Sequence, residues 1–433
     1  MDDYSEGVYF KKMSKLALLW DESYLWGIMA YKCLKKIGIS FDIVTADELT
    51  DTLRDDYKIL IVPGGWASNK KEALGEVGTN TIREFVYQGG SYIGFCGGAG
   101  LATSEGIGLL DVKRMPSSQR VPSLSGKIKA RLTNHEIYKG IDEPIFHIWW
   151  PSQFLIDSPE LRIIASYEET LDDAFSSDLK ISAVKKYGDW EYLESLYGIN
   201  LNPDRVIGSP LVIEGKYGKG SIILSLIHFD TFDDKNGQRV LKNLIDYLGN
   251  GKIDDRVDEI DSQDTSVNHS YNKYIEEIHN STKELIDFGI KNFLWFWRNE
   301  MLLQWRRGIR GLECCNLYIL GLELYNLSTR LSVCQKDNLL KPLKDLRDKL
   351  IPYIEALKEL LFLERLELQK GHLTYIKTEN YHIEAKRMAL FSSSKSYGGV
   401  YKNILNSFDK LLLLVLKSTK IRASLKSKSI ITV

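Results

Sequence analysis

The fold is decided by residues 91–100, which read SYIGFCGGAG. The first five have the apolar character of a buried β-strand, and they run into a glycine-lined turn with Cys96 at its apex. The spacing Gly-x-Cys-x-Gly predicts a nucleophile elbow, because a Cβ on either side of so sharp a turn would clash. A helix that starts directly after the turn would favour the thiolate of Cys96 over the thiol. The pattern therefore predicts a reactive cysteine at the carboxyl end of a strand.

Two further apolar segments end in residues that suit the same chemistry. Residues 57–65 read YKILIVPGG, a buried strand ending in a glycine pair whose backbone N–H groups can face the cysteine and bind a developing oxyanion. Residues 220–230 read GSIILSLIHFD, another apolar strand, which delivers His228 and Asp230 at its end. Ligands of parallel sheets bind beyond the carboxyl ends of the strands, so one cleft can hold all three segments.

A family resemblance follows from these segments together with residues 82–90, IREFVYQGG. The amino-terminal part of the chain, roughly residues 14–250, resembles the class I glutamine amidotransferase-like superfamily. Within that superfamily it is most similar to the amino-terminal domain found on some biotin-protein ligases.

The resemblance implies a role for each of three side chains. Cys96 would be the nucleophile, His228 the base that activates it and Asp230 the acid that orients the base. In an acyl-transfer mechanism, backbone N–H groups near Gly65 and Gly97 would stabilise the oxyanion. The family has glutamate where this chain has Asp230, and aspartate reaches one methylene less far.

Composition bounds the class of protein. The 433 residues are enough for two domains, and 57 Lys and Arg against 58 Asp and Glu leave a formal charge of −1. That near-neutral net charge does not favour binding to nucleic acid or to an anionic membrane. Five cysteines show no metal-ligand spacing, and their odd number argues against a complete disulfide framework, so we expect a reducing cytoplasm. The sequence shows no signal peptide and no apolar run of the ~18–20 residues that span a bilayer.

Strand and helix patterns alternate through the amino-terminal part. They predict a doubly wound, flavodoxin-like α/β domain with a mostly parallel sheet over residues 1–250. Residues 124–132 and 206–216 alternate apolar and polar positions, and residues 217–220 turn into the strand that precedes His228, which predicts a β-hairpin extension. The predicted strands are 15–20, 40–45, 57–62 and 91–95, and the predicted helices are 22–37, 80–87 and 238–248.

The remainder of the chain has a different pattern. Residues 251–269 are polar and acidic and predict a linker. Residues 270–433 repeat apolar positions at three- and four-residue steps, as in Leu339, Leu343 and Leu346, which predicts a separate all-α helical bundle.

Some residues near these segments fit two interpretations. Trp149 and Trp150 beside His147 can form an aromatic wall of the cleft or pack in the core, and we favour packing. Residues 21–23 (Asp-Glu-Ser) follow the first strand and can touch the site or cap the next helix. Tryptophans and arginines at 295–310 can suggest a nucleic-acid surface, but in a bundle they more often form core and interface.

Two functions from different classes follow. The first is a glutamine amidotransferase-like cysteine hydrolase or amide transferase that needs no metal and no organic cofactor and acts on a small molecule or peptide amide. Free glutamine is not the expected substrate, because Gly100 stands where glutamine-using relatives carry a glutamine side chain. The alternative is a catalytically silent binding or regulatory module. In either case the helical region could dock a protein partner or a second copy of the chain.

Overall fold

The computed structural model describes residues 16–49, 53–249, 268–371, 378, 380–392 and 397–429, with side chains described to residue 418 in the last helix. Its centre is an eleven-stranded mixed sheet. The strands of the chain are β1 (Leu16–Leu19), β2 (Asp42–Val44), β3 (Ile59–Val62), β4 (Ser91–Phe95), β5 (Lys113–Arg114), β6 (Leu124–Leu132), β7 (Ile145–Trp149), β8 (Phe154–Leu155), β9 (Arg162–Thr170), β10 (Phe175–Ser176), β11 (Leu179–Lys180), β12 (Pro210–Tyr217), β13 (Gly220–Ser225), β14 (Trp295–Trp297) and β15 (Leu303–Trp305).

The helices divide between the two parts of the chain. Those of the α/β region are α1 (Leu25–Lys36), α2 (Leu53–Asp56), α3 (Ala67–Tyr87), α4 (Gly97–Leu101), α5 (Ile181–Tyr187), α6 (Trp190–Tyr197) and α7 (Lys235–Gly249). Those of the carboxyl-terminal region are α8 (His269–Lys291), α9 (Gly311–Ser328), α10 (Val333–Glu367), α11 (Tyr381–Phe391) and α12 (Gly399–Ser429). Among the described helices, even the long α10 and α12, none has the apolar length that a bilayer span requires.

One half of the sheet is parallel, in the order β2-β1-β3-β4-β13. Strands β1, β3 and β4 are buried along their whole length, as expected when helices cover both faces of a parallel sheet. The predicted α/β class is confirmed. Because β3, β4 and β13 are neighbours, their carboxyl ends lie side by side at one edge of the sheet.

The other half of the sheet is antiparallel and larger than the predicted hairpin. The hairpin itself is present as β12 and β13, joined at Tyr217 and Gly220. Beyond it the sheet continues through β9 and β6 to β10 and β11, with β7 also paired to β6. The alternation of residues 124–132 indicated β6. The other strands were not indicated, because β9 carries a register irregularity against β12 and because β10 and β11 are only two residues long.

The carboxyl-terminal region is helical, as predicted, and buries the apolar positions that the spacing marked. These include Tyr271, Ile275 and Leu285 on α8, Leu339 to Leu361 on α10, and Tyr401, Phe408 and Val415 on α12. It is not purely α-helical, however. Strands β14 and β15 form an antiparallel hairpin between α8 and α9, and Trp295 packs so closely on Gly289 that a Cβ there would lie 1.9 Å from the indole.

The helical region packs directly on the α/β region. Tyr24, Leu25 and Trp26 at the start of α1 belong to the same apolar cluster as the described helices α8 to α12. Trp20 donates a hydrogen bond to Asp409 (2.8 Å) and the Tyr24 hydroxyl donates one to Asn406 (2.7 Å). The two regions therefore share an apolar core, so the predicted helical bundle is not separate in its packing. Their division into domains stays a prediction, and most of the predicted linker, residues 251–267, lies outside the described residues.

Candidate active site

Cys96 lies at a sharp turn between β4 and α4. Its φ of 45° is in the left-handed region, which residues other than glycine rarely adopt. The turn is held by two backbone hydrogen bonds, from Cys96 N to Ser225 O and from Gly100 N to Cys96 O, both 2.8 Å. Cys96 is partly exposed, unlike the buried Cys33, Cys314 and Cys315.

Two glycines let the turns after β3 and β4 touch. Gly65 has a φ of +117°, and a Cβ built on Gly97 would lie 1.9 Å from the carbonyl oxygen of Gly65. Any side chain at Gly97 would separate the two turns, which explains why the sequence needs glycine there. No backbone hydrogen bond between elements of the described chain uses the N–H of Gly65 or Gly97.

His228 and Asp230 form a buried pair directly after β13. The imidazole Nδ1 lies 2.9 Å from Asp230 Oδ1, and the side chains are 0% and 1% exposed. The backbone fixes the histidine, because His228 N donates to His147 O and Thr231 N donates to His228 O, both at 2.9 Å. Neither His228 Nε2 nor Asp230 Oδ2 has a hydrogen-bond partner among the described residues.

The electrostatics of His228 depend on its two neighbours. Burial alone would lower the pKa of His228, but the charge and hydrogen bond of Asp230, together with Cys96, raise that pKa to about 10. Cys96 is thus close enough to His228 to act on it. The two do not meet ordinary hydrogen-bond geometry, and Cys96 Sγ lies 3.9 Å from Trp149 O instead. Catalytic hydrogen bonds often tighten only in the complex with substrate.

Four tryptophans form what we call the aromatic wall of this site: Trp26, Trp149, Trp150 and Trp305. The ring of Trp26 lies 4.9 Å from that of His228, and Trp150 lies 6.4 Å from Trp26 and 4.7 Å from Trp305. Trp149 donates its Nε1 proton to Thr231 Oγ1 (3.1 Å). Because Trp305 belongs to β15, the carboxyl-terminal region contributes to the surroundings of His228.

Residues 21–23 lie beside the Gly65 turn rather than capping α1. A Cβ on Gly65 would lie 2.4 Å from Glu22 O and 3.3 Å from Lys70 Cε. Lys70 is fully buried and donates hydrogen bonds to Ser23 Oγ (2.6 Å) and Asp21 O (2.9 Å). Burial lowers the pKa of Lys70 to about 7, against the opposing charges of Asp21 and Glu22. This cluster supports the backbone of the turn.

One surface cavity lies close to the site but does not include its cysteine. It measures about 790 Å³ and is lined by residues that include His147 and Asp234, and Cys96 and His228 are not among them. In the described part of the chain no three His, Cys, Asp or Glu side chains come together as a metal site.

A comparison with known families finds a match for one segment of this region. Residues 37–107 match the family "Biotin-protein ligase, N terminal". The resemblance predicted from the sequence is confirmed over this segment. It contains the Gly65 turn and Cys96 but ends before His228. No curated protein sequence matches the chain significantly.

Solved structures with similar architecture include a GMP synthase-type protein from Thermoplasma acidophilum (13% identity, 55% of this chain, 95% of that one, TM-score 0.36). Another is a glutamine amidotransferase (16% identity, 54% and 99%, TM-score 0.35). A ThuA-like protein from Bacteroides uniformis is a third (12% identity, 56% and 94%, TM-score 0.36). These scores are too low to support an argument about function.

The aromatic wall shows what sequence reasoning missed. Trp149 and Trp150 pack in or against the core, as favoured from the sequence, but the position of the Trp149 carbonyl oxygen, 3.9 Å from Cys96 Sγ, was not foreseen. Trp26 and Trp305 carried no local signal, because one lies in a helix and the other in a hairpin 279 positions later (305 − 26).

Proposed function

We propose that this protein is a cysteine-dependent hydrolase or amide transferase that acts on the carbonyl group of a small amide, ester or peptide. The observation that carries the proposal is a cysteine on a strained turn next to a buried His–Asp pair whose outer imidazole nitrogen has no partner among the described residues. A nucleophile, a base and a group that orients the base are the minimum set for acyl transfer through a covalent intermediate.

Each group has one step in the reaction. A His228 pKa of about 10 favours an imidazolium at neutral pH, and the proposed reaction starts from the thiolate form of Cys96. Sγ attacks the carbonyl carbon, and the N–H groups of Gly65 and Gly97 stabilise the negative oxygen that forms. His228 Nε2 gives its proton to the leaving amine or alcohol. It then takes a proton from water, which attacks the thioester and releases the acid and the thiolate.

Free glutamine is an unsuitable substrate for this site. The space that a side chain at Gly100 would fill is occupied by Arg114, whose Nη1 would lie 3.2 Å from such a Cβ. An amino-acid amide therefore loses the polar contacts that a glutamine side chain would supply, each worth about 1–3 kcal/mol.

Competitive alkylation tests the proposal without knowledge of the substrate. Cys334 is exposed and serves as an ordinary thiol, whereas Cys33, Cys314 and Cys315 are buried. We expect iodoacetamide to alkylate Cys96 faster than Cys334 near pH 7, and we expect His228→Gln to remove the difference. Equal rates for Cys96 and Cys334 would overturn the proposal. Amide and ester libraries, with Cys96→Ser as the control, then identify the reaction.

A second candidate, a binding module without turnover, is favoured by one observation. His228 and Asp230 are fully buried, and Cys96 does not meet hydrogen-bond geometry with the imidazole. In that case the helical region would dock a protein partner or a second copy of the chain. Fast alkylation of Cys96 combined with no turnover of any library member would favour this candidate. Under either candidate function, the five free thiols suit a reducing compartment such as the cytoplasm.

A further inference from the structure

Arg120 is an arginine without a counter-charge in the described part of the chain. It is half-buried on the loop between β5 and β6, and its side chain makes no hydrogen bond or ion pair with any described residue. Its Nε is completely buried. By contrast, carboxylates pair with other arginines of the chain: Arg114 with Glu105, Arg205 with Glu194 and Arg387 with Glu364. Burying a guanidinium group without a partner is costly, so this arrangement suits a group that a ligand will satisfy.

The loop that carries Arg120 is tied to the segment that contacts Cys96. Met115 N donates to Gln153 O (2.8 Å) and Val121 N donates to Gln153 Oε1 (2.9 Å). Four residues before Gln153, the carbonyl oxygen of Trp149 lies 3.9 Å from Cys96 Sγ. On the same segment Ser152 Oγ is also buried without a hydrogen-bond partner among the described residues.

The electrostatics of Arg120 also connect it with the surroundings of Cys96. Burial lowers the pKa of Arg120, a Cys96 thiolate opposes that shift, and the like charge of Arg114 adds to it. Cys96 therefore lies within electrostatic reach of this arginine. Arg114, which lies over Gly100 in α4, is paired with Glu105, whereas no described carboxylate is paired with Arg120.

We infer that Arg120 is a specificity-determining residue that binds an anionic group of the substrate, a carboxylate or a similar oxyanion, beside the carbonyl that Cys96 attacks. The substrate class is therefore an amide or ester of an acid that carries a second negative charge. Arginine binds a carboxylate with two parallel N–H donors, which fixes orientation as well as charge. This inference rests on the proposed function, since it concerns the same cysteine.

Two alkylating reagents of nearly equal shape test it. In both, Cys96 Sγ displaces iodide and forms an S–CH₂ bond, but iodoacetate carries a carboxylate where iodoacetamide carries a neutral amide. At an ordinary thiolate the anionic reagent is slower, because like charges repel. We expect the iodoacetate-to-iodoacetamide rate ratio at Cys96 to exceed that at exposed Cys334 by about tenfold or more, the effect of one charged hydrogen bond. Rates are measured by mass spectrometry of both peptides in the full-length chain.

Variants assign the preference to Arg120. Arg120→Gln should reduce the ratio at Cys96 to that of Cys334, and Arg120→Lys, which keeps the charge, should retain part of it. A ratio in the unmodified chain no higher than at Cys334 overturns the inference, and so does a high ratio that survives Arg120→Gln. If Arg120→Gln does not fold, the rate ratios of the unmodified chain and of Arg120→Lys still test the inference.

The same data separate failure of this inference from failure of the proposed function. Fast reaction of Cys96 with iodoacetamide but no preference for iodoacetate contradicts only the role of Arg120. A Cys96 that reacts with iodoacetamide no faster than Cys334 contradicts the proposed function, whatever the ratio.

Discussion

Two histidine–aspartate pairs lie side by side in this protein, and only one of them adjoins the cysteine. His228 and Asp230 are joined at 2.9 Å, and His147 and Asp234 at 2.8 Å. A backbone hydrogen bond from His228 N to His147 O connects the two. By distance alone the pairs are equivalent, so the ion pair itself does not identify a site.

The surroundings distinguish them. Asp234 uses both oxygens, one for Gly237 N at the start of α7 and one for His147, and the pair borders an open cavity. Asp230 and His228 are completely buried, and each leaves one polar atom without a partner among the described residues. A satisfied pair stabilises structure, whereas an unsatisfied one stands ready for a ligand or a proton.

The largest expected difference comes from replacing each histidine with glutamine. His228→Gln should lower the Cys96-dependent rate by about 10²–10⁴, the usual contribution of a general base. His147→Gln should leave that rate within about threefold, because its ring does not touch the cysteine. The rate of Cys96 alkylation and the turnover of any substrate found are both measured. Similar losses in the two variants would show that the pairs act as one unit.

The aspartates should separate activity from stability. Asp230→Asn should lower the rate by about 10² or more, because it cannot hold an imidazolium in place. Asp234→Asn should retain the rate and lower the free energy of unfolding by about 1 kcal/mol, because His147 Nδ1 loses its charged hydrogen-bond partner. Urea unfolding monitored by circular dichroism measures the second effect. A stable but inactive Asp234→Asn variant would contradict this division of roles.

The pH dependence of stability should show the charge on His228. Its pKa is about 10 in the folded chain against 6.5 for the ordinary side chain. A raised pKa contributes stability that is fully present below pH 6.5 and is lost as the pH rises towards 10. Each pKa unit is worth about 1.4 kcal/mol.

The measurement compares the unfolding free energy of the unmodified chain with that of His228→Gln from pH 6 to 10. The pKa of Lys70 is lowered rather than raised, and its contribution is the same in both proteins and cancels in the difference. The gap in unfolding free energy between the two should narrow as the pH rises. A constant gap would mean that folding does not raise the pKa of His228.

The smallest expected effect is with free glutamine. Since Arg114 fills the space beside Gly100, neither pair should support glutaminase activity, and ammonia release should equal that of Cys96→Ser. Robust Cys96-dependent release, followed with a coupled ammonia assay, would contradict this interpretation of the pocket.

The sequence predicted what local pattern determines. The turn at Cys96 follows from its flanking glycines, and the placement of His228 and Asp230 follows from an apolar strand ending beside β4. Arg120 and Trp305 could not be found in this way, because their positions depend on packing between segments far apart in the chain. The antiparallel half of the sheet was underestimated for a related reason, since strands as short as β10 and β11 have too few residues to show alternation.

The contact between the rings of Trp150 and Trp305 has a consequence for the timing of synthesis. Ribosomes add about 5–20 residues per second and amino-terminal regions fold first. When residue 250 has been added, Cys96, His228 and Asp230 are all present, but the indole of Trp305 and the helices that cover α1 are not yet made. For several seconds the nascent chain therefore holds the three side chains with one side of their aromatic wall open to solvent. The amino-terminal region therefore cannot complete this wall while it folds first, and must wait for residue 305 to be added.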